Sequence, residues 1–94
     1  MEIQHQQTDT DGAFYIENEA GSRVAELQYE NFGDHTIDIF HTEVADELQG
    51  KNIGKQLVEA AIDFARRKQL KIIPSCTFAK SVFAGESGYD DVLA

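Results

Sequence analysis

Residues 48–57, Leu48-Gln49-Gly50-Lys51-Asn52-Ile53-Gly54-Lys55-Gln56-Leu57, join two stretches of different period, and that junction narrows the folds open to the chain. Before it, residues 23–32 alternate. Ala25, Leu27 and Tyr29 fall on one side and Glu26, Gln28 and Glu30 on the other, the pattern of a half-buried antiparallel strand. After it, Ile53, Leu57, Val58, Ala61, Ile62, Phe64 and Ala65 recur at helical spacing within residues 51–68. Arg66, Arg67 and Lys68 fill the last turn, where cations oppose the negative end of the helix dipole. The junction is small and backbone-permissive. At a helix start such residues leave N–H groups available to an anion, and Lys51 and Lys55 flank the same turn. The spacing is neither G-x-x-x-x-G-K-[ST] nor G-x-G-x-x-G. The same letters also suit a plain helix start with two solvated lysines.

The remaining elements follow from turn residues and short apolar runs. Residues 13–17 are β-prone after the turn-like residues 8–12, and residues 18–22 read as a hairpin loop. Gly33-Asp34 marks another turn, and residues 36–42 form a third strand with Ile37 and Ile39 on one face. Residues 70–73 make a short strand stopped by Pro74, the only proline. A second helix is expected over residues 75–84 with Ser75 as its cap, and residues 85–94 are expected to coil over the surface, held by Tyr89 and Val92-Leu93. Strand, helix, strand implies a right-handed crossover and a parallel pair. The expected fold is α+β in one domain, residues 1–94: an antiparallel meander, a helix, a parallel strand and a C-terminal helix.

Charge limits the partners. The net charge is −9; residues 1–50 hold twelve of the seventeen acids and one base, Arg23, whereas residues 51–94 hold seven bases and five acids. A basic stripe for duplex binding is missing, so no nucleic-acid partner is expected. An acidic surface beside the anion site suits a cationic amine or serves solubility alone. One cysteine excludes an internal disulfide and fits a reducing compartment. No apolar run approaches the ~20 residues of a membrane span, and residues 1–11 are polar, so a cytoplasmic protein is expected. The oligomeric state stays open, with a monomer admissible.

Two side chains carry chemistry. Cys76 follows Pro74 at the end of the last strand and precedes a helix, where ligands of open sheets gather and where a thiolate is favoured. A free cysteine is equally a small buried hydrophobe. His41 stands two residues past Ile39, so alternation puts it on the Ile37/Ile39 face, as a hydrogen-bonded core histidine or as a base close to Cys76. His5 and His35 are assigned nothing, and no Cys/His cluster has metal-ligand spacing.

Gln49-x-x-Asn52-x-Gly54 resembles Q/R-x-x-G-x-G/A, the pyrophosphate loop of the Gcn5-related N-acetyltransferases, with Asn52 in place of a glycine. Asparagine tolerates positive φ, so the loop can keep its shape. Phe40-His41-Thr42-Glu43-Val44, Ile73-Pro74-Ser75-Cys76-Thr77-Phe78 and Tyr89-Asp90-Asp91-Val92-Leu93 extend the resemblance over residues 13–93, to the small single-domain members of the YjdJ type. The resemblance implies acetyl-coenzyme A as cofactor. Its pyrophosphate would lie on Gln49, Gly50, Lys51, Asn52, Ile53, Gly54 and Lys55, and its pantetheine arm along the strand that ends at Val44. It implies that Cys76 is the reactive group at the acyl end of the cofactor, with His41 the candidate catalytic base from its place beside it, and acetyl transfer to an amine acceptor that it does not identify. A coenzyme A-binding or protein-interaction module without turnover is the alternative. The chain has no room for the elements that build the acceptor pocket of larger family members.

Overall fold

The computed structural model describes residues 2–85 and 87–94; Met1 and Glu86, the latter within the expected tail, lie outside the described residues. Among the described residues the order is β1 (Gln4–Gln7), β2 (Asp11–Glu17), β3 (Arg23–Asn31), β4 (Thr36–Val44), α1 (Ile53–Lys68), β5 (Lys71–Pro74) and α2 (Thr77–Gly85). A 3-10 turn, Asp46–Leu48, leads into α1. The strands form one sheet in chain order, antiparallel from β1 to β4, with β5 parallel to β4. The meander, crossover and parallel pair match the sequence expectation. β1 does not: its residues are Gln4, His5, Gln6 and Gln7, which carry no alternation of polarity.

One face of the sheet supplies Phe14, Ile16, Ala25, Leu27, Tyr29, Ile37, Ile39 and Ile72 to the core, and the apolar stripe of α1 covers it. Burying each such large side chain is worth about 1.5–3 kcal/mol, which far exceeds the intrinsic helix preference of the α1 sequence. Ala79, Val82 and Phe83 of α2 extend the same core. α1 ends at Gln69 in the left-handed conformation (φ 58°, ψ 44°), its N–H donating back to Ala65 O and Arg66 O.

β4 carries a bulge that the alternation rule does not anticipate. Tyr29 pairs with Ile39 but Gln28 pairs with His41, so Phe40 is an extra residue on β4. An extra residue exchanges the two faces of everything after it. Thr42 and Val44 therefore share the inner face with their partners Leu27 and Ala25, and His41 points outward.

The tail does more than coil over the surface. Ile72 N–H donates to Val92 O (2.6 Å) and Ala94 N–H to Ile72 O (2.9 Å), giving an isolated parallel bridge that covers the outer edge of β5. Arg66 grips the Asp91 carboxylate through Nε (2.9 Å) and Nη2 (3.0 Å), and that bond holds Asp91 below its ordinary carboxylate range. Tyr89 Oη donates to Glu59 on α1 (2.9 Å), as the anchoring expectation required.

At the opposite edge, β1 brings a residue the sequence assigned nothing. The His5 ring stacks on Phe14 (4.1 Å, 8°) and meets Phe64 edge-on (4.7 Å). Its Nε2 lies 2.7 Å from Tyr29 Oη. Partial burial, helped by the charge of Arg67, lowers the His5 pKa; burial and then Asp11 push Tyr29 up to about 12.

Candidate functional site

The site forms where β4 and β5 separate. Their pairing runs from Thr36/Lys71 to Ile39/Pro74, and Cys76 N–H then donates to Ile39 O (3.0 Å). β4 continues to Val44 while the other chain segment turns into α2. A cavity of about 370 Å³ fills the gap, walled by Thr42 and Val44 on β4, by Gln49, Asn52 and Gly54 on the loop and first turn of α1, and by Phe78 on α2.

The loop geometry follows from its residues. Gly50 (φ 82°) and Asn52 (φ 64°, ψ 22°) both adopt the left-handed conformation, one that asparagine tolerates better than most side chains. Gln49 Nε2 donates to Val44 O (2.9 Å) and ties the loop to the end of β4. Asn52 is the N-cap of α1: its carbonyl accepts Gln56 N–H (3.1 Å), and its side chain makes no cap bond. No acidic residue stands in the first turn. The first-turn amides at Ile53 and Gly54 thus meet the cavity with the positive end of a sixteen-residue helix behind them. Lys51 is exposed and Lys55 half-buried at the same turn.

Cys76, rather than the expected Ser75, caps α2. Its Sγ accepts Ala79 N–H (3.3 Å) and its carbonyl accepts Lys80 N–H (3.0 Å). The thiol is half-buried and lies 3.4 Å from Thr42 Oγ1. The sequence reading set His41 on the Ile37/Ile39 face, toward Cys76. The bulge at Phe40 reverses that: the His41 side chain is 47% exposed on the other face, with Nε2 3.8 Å from Glu43 Oε1. Thr42 takes the place beside the thiol. Nothing local in the sequence marks Thr42: Phe40, 44% exposed, faces outward by plain alternation from Ile39, and the bulge then sets His41 outward as well.

Gly54 serves a second purpose. A Cβ there would stand 2.6 Å from Phe78 Cζ, so the ring at the start of α2 rests directly on the first turn of α1.

A meander strand parting from its parallel neighbour above the helix N-terminus is the arrangement that the resemblance to the acetyltransferases implies. The model of the GCN5-related N-acetyl-transferase family matches residues 13–92, and the chain belongs to that family. It is similar to a GCN5-like protein from Staphylococcus aureus solved in solution: 41% identity, TM-score 0.74, covering 99% of this chain and 87% of that one. It also resembles Protein NATD1 of Danio rerio (41% identity over 69 residues, 73% of this chain and 62% of the relative) and of Xenopus tropicalis (43% over 54 residues, 57% and 50%). The chain thus spans one half to just under two thirds of the length of these curated relatives. The aminoglycoside N-acetyltransferase AAC(6')-Iy, solved with CoA, shares the fold at 12% identity (TM-score 0.66, 89% of this chain and 88% of that one). No helix among the described residues is long and apolar enough to cross a membrane.

Proposed function

We propose that this chain binds acetyl-coenzyme A in the β4–β5 gap and passes the acetyl group to a primary amine. The observation that carries the reading is the uncapped, acid-free N-terminus of α1 opening on the 370 Å³ cavity. Backbone donors and helix dipole suit a pyrophosphate there, with Gln49, Gly50, Lys51, Asn52, Ile53, Gly54 and Lys55 as the binding loop. Val44 and Thr42 would flank a pantetheine arm. The cofactor supplies an acetyl group already activated as a thioester.

The chain's own groups divide the remaining work. Cys76 Sγ, steadied by Ala79 N–H, holds or gives up a proton behind Thr42 of the cavity wall, and Thr42 Oγ1 orients it. His41 acts from the other face. With its Nε2 3.8 Å from Glu43 Oε1, it takes the proton that an incoming ammonium must lose. The acidic first half of the chain suits a cationic acceptor.

The test is a calorimetric titration with coenzyme A, followed by acetyl-transfer assays on a panel of primary amines. Binding together with transfer supports the reading, and no heat with coenzyme A removes it. His41→Ala should cut transfer at an unchanged melting temperature, since an exposed side chain costs little stability when truncated. Cys76→Ser should also cut transfer; transfer at the parent rate in both variants would end their assignment.

A further inference from the structure

The face of the sheet turned away from the helices carries a charge pattern that neither the core nor the cofactor reading uses. The buried side chains of α1 and α2 join the inner face, while on the outer one Glu30, Phe40, His41 and Glu43 are exposed. The register sets the outer side chains in rows across the strands. Asp11, Glu30 and Asp38 stand side by side on β2, β3 and β4, and Glu26 on β3 faces Glu43 on β4. Between these two acidic rows lies a neutral one, Ala13, Gln28 and His41, with Phe40 beside it. A depression of about 230 Å³ is walled by Asp11, Glu26, Gln28 and Phe40. Like charges directly opposite one another destabilise a sheet, and Asp38 Oδ1 is in addition buried without a hydrogen-bond partner among the described residues. Arg23 bonds Glu26 and lies over the Tyr15 ring (3.8 Å), which offsets one row in part.

We infer that this face docks a basic polypeptide segment, extended along β3, with an acceptor lysine at His41 and further cations two positions to either side of it. The inference deepens the transfer reading, on which it rests for the role of His41. The register supplies the spacing. Glu26, Gln28 and Glu30 follow one another every ~6.8 Å along β3, which is also the distance from residue i to i+2 of any extended chain, and side chains at i−2, i and i+2 share one face. The lysine stem would lie on the exposed ring of Phe40, and the flanking cations would meet Glu26 and Glu43 on one side and Glu30 and Asp38 on the other. A small monoamine reaches His41 but spans neither acidic row. A second copy of this chain brings an equally acidic face and a net charge of −9, so like charges would meet.

Docking is read from backbone amide shifts without cofactor. Two end-blocked heptapeptides each carry one lysine and two arginines; the arginines stand two positions either side of the lysine in the first and adjacent to it in the second. The first should bind about 5-fold or more tighter and weaken as salt is raised, with shift changes at Glu26, Gln28, Glu30, Phe40 and His41. Glu30→Gln combined with Asp38→Asn should erase most of that preference without lowering the melting temperature, since it relieves a like-charge pair. If the double variant melts low, Glu30→Gln alone, at an exposed position, carries the same comparison. Equal affinity for the two peptides, or an unchanged preference in the variants, overturns the inference. So does tighter binding of spermine than of the first peptide, which assigns the face to a polyamine, or self-association at these amides without peptide, which assigns it to a second copy. Acetyl transfer to both peptides is then measured with acetyl-coenzyme A. Docking without transfer overturns the transfer reading and keeps the docking face; transfer that does not distinguish the peptides overturns the docking face and keeps the transfer reading.

Discussion

Two glycines in this molecule each support the end of an aromatic ring, and they sit at opposite ends of the sheet's purpose. A Cβ on Gly12 would stand 2.4 Å from Tyr29 Cζ; one on Gly54 would stand 2.6 Å from Phe78 Cζ. The contacts look alike, yet Tyr29 is 1% exposed and Phe78 41%. Tyr29 is boxed in by His5, Phe14 and Phe64, and its hydroxyl is held by His5. Phe78 has solvent on one side and the cavity on the other. The same steric device thus locks the core at the β1 end and shapes the open cavity at the α1–α2 end.

The comparison breaks most sharply by adding a side chain at each glycine. Gly12→Ala should cost about 2–3 kcal/mol in urea denaturation, because the buried tyrosine cannot move without emptying its box. Gly54→Val should lose far less stability, since the ring of Phe78 can turn outward. It should nevertheless weaken coenzyme A binding about 10-fold or more by crowding the first-turn amides. Equal stability losses in the two variants would mean that exposure does not separate the sites.

The closed end should also respond to pH. The folded state lowers the His5 pKa below 6.5, so it favours the neutral ring; that contribution is full above about 6.5 and is lost as the pH falls through the lowered value. The Tyr29 pKa is raised from 10.0 to about 12, so its contribution is full below 10 and fades as the pH rises toward 12. Melting temperature against pH should therefore show a plateau between these limits. His5→Phe, which keeps the stack on Phe14, should flatten the acid side relative to the parent. An unchanged acid limb would contradict the role given to His5.

The smallest effect belongs to the open end. Lys51→Ala should weaken coenzyme A binding by no more than about 1 kcal/mol, because an exposed lysine adds little to what backbone donors and the helix dipole provide. A loss comparable to that of Gly54→Val would shift the weight of binding from backbone to side chain.

Periodicity made most of the architecture legible. β3 and α1 each bury a regular face, and period follows from burial in both. The αL residue Asn52 was readable too, since few other side chains tolerate that conformation. What escaped has identifiable causes. β1 lies at a sheet edge with its polar residues largely exposed, so no hydrophobic pattern marks it. The bulge at Phe40 depends on how β4 pairs with β3, a non-local choice, and one extra residue moved His41 out and Thr42 in. Cys76 displaced Ser75 as the α2 cap because β5 ends at Pro74 and the Cys76 N–H is drawn to Ile39 O, which starts the helix one residue later. The loop was read from the backbone it requires. The face of His41 was misplaced by a register that no single strand encodes.

The claim on which these readings depend is that the α1 N-terminus and the β4–β5 gap form one binding site for coenzyme A. Backbone amide chemical shifts recorded during titration with coenzyme A test it residue by residue. The account predicts the largest changes at Gly50, Asn52, Ile53 and Gly54, with further changes at Thr42, Val44 and Phe78 and little at His5 or Gly12. Saturable changes centred instead on the outer sheet face around Gln6, Arg23 and Gln28, or no change at all, would contradict it.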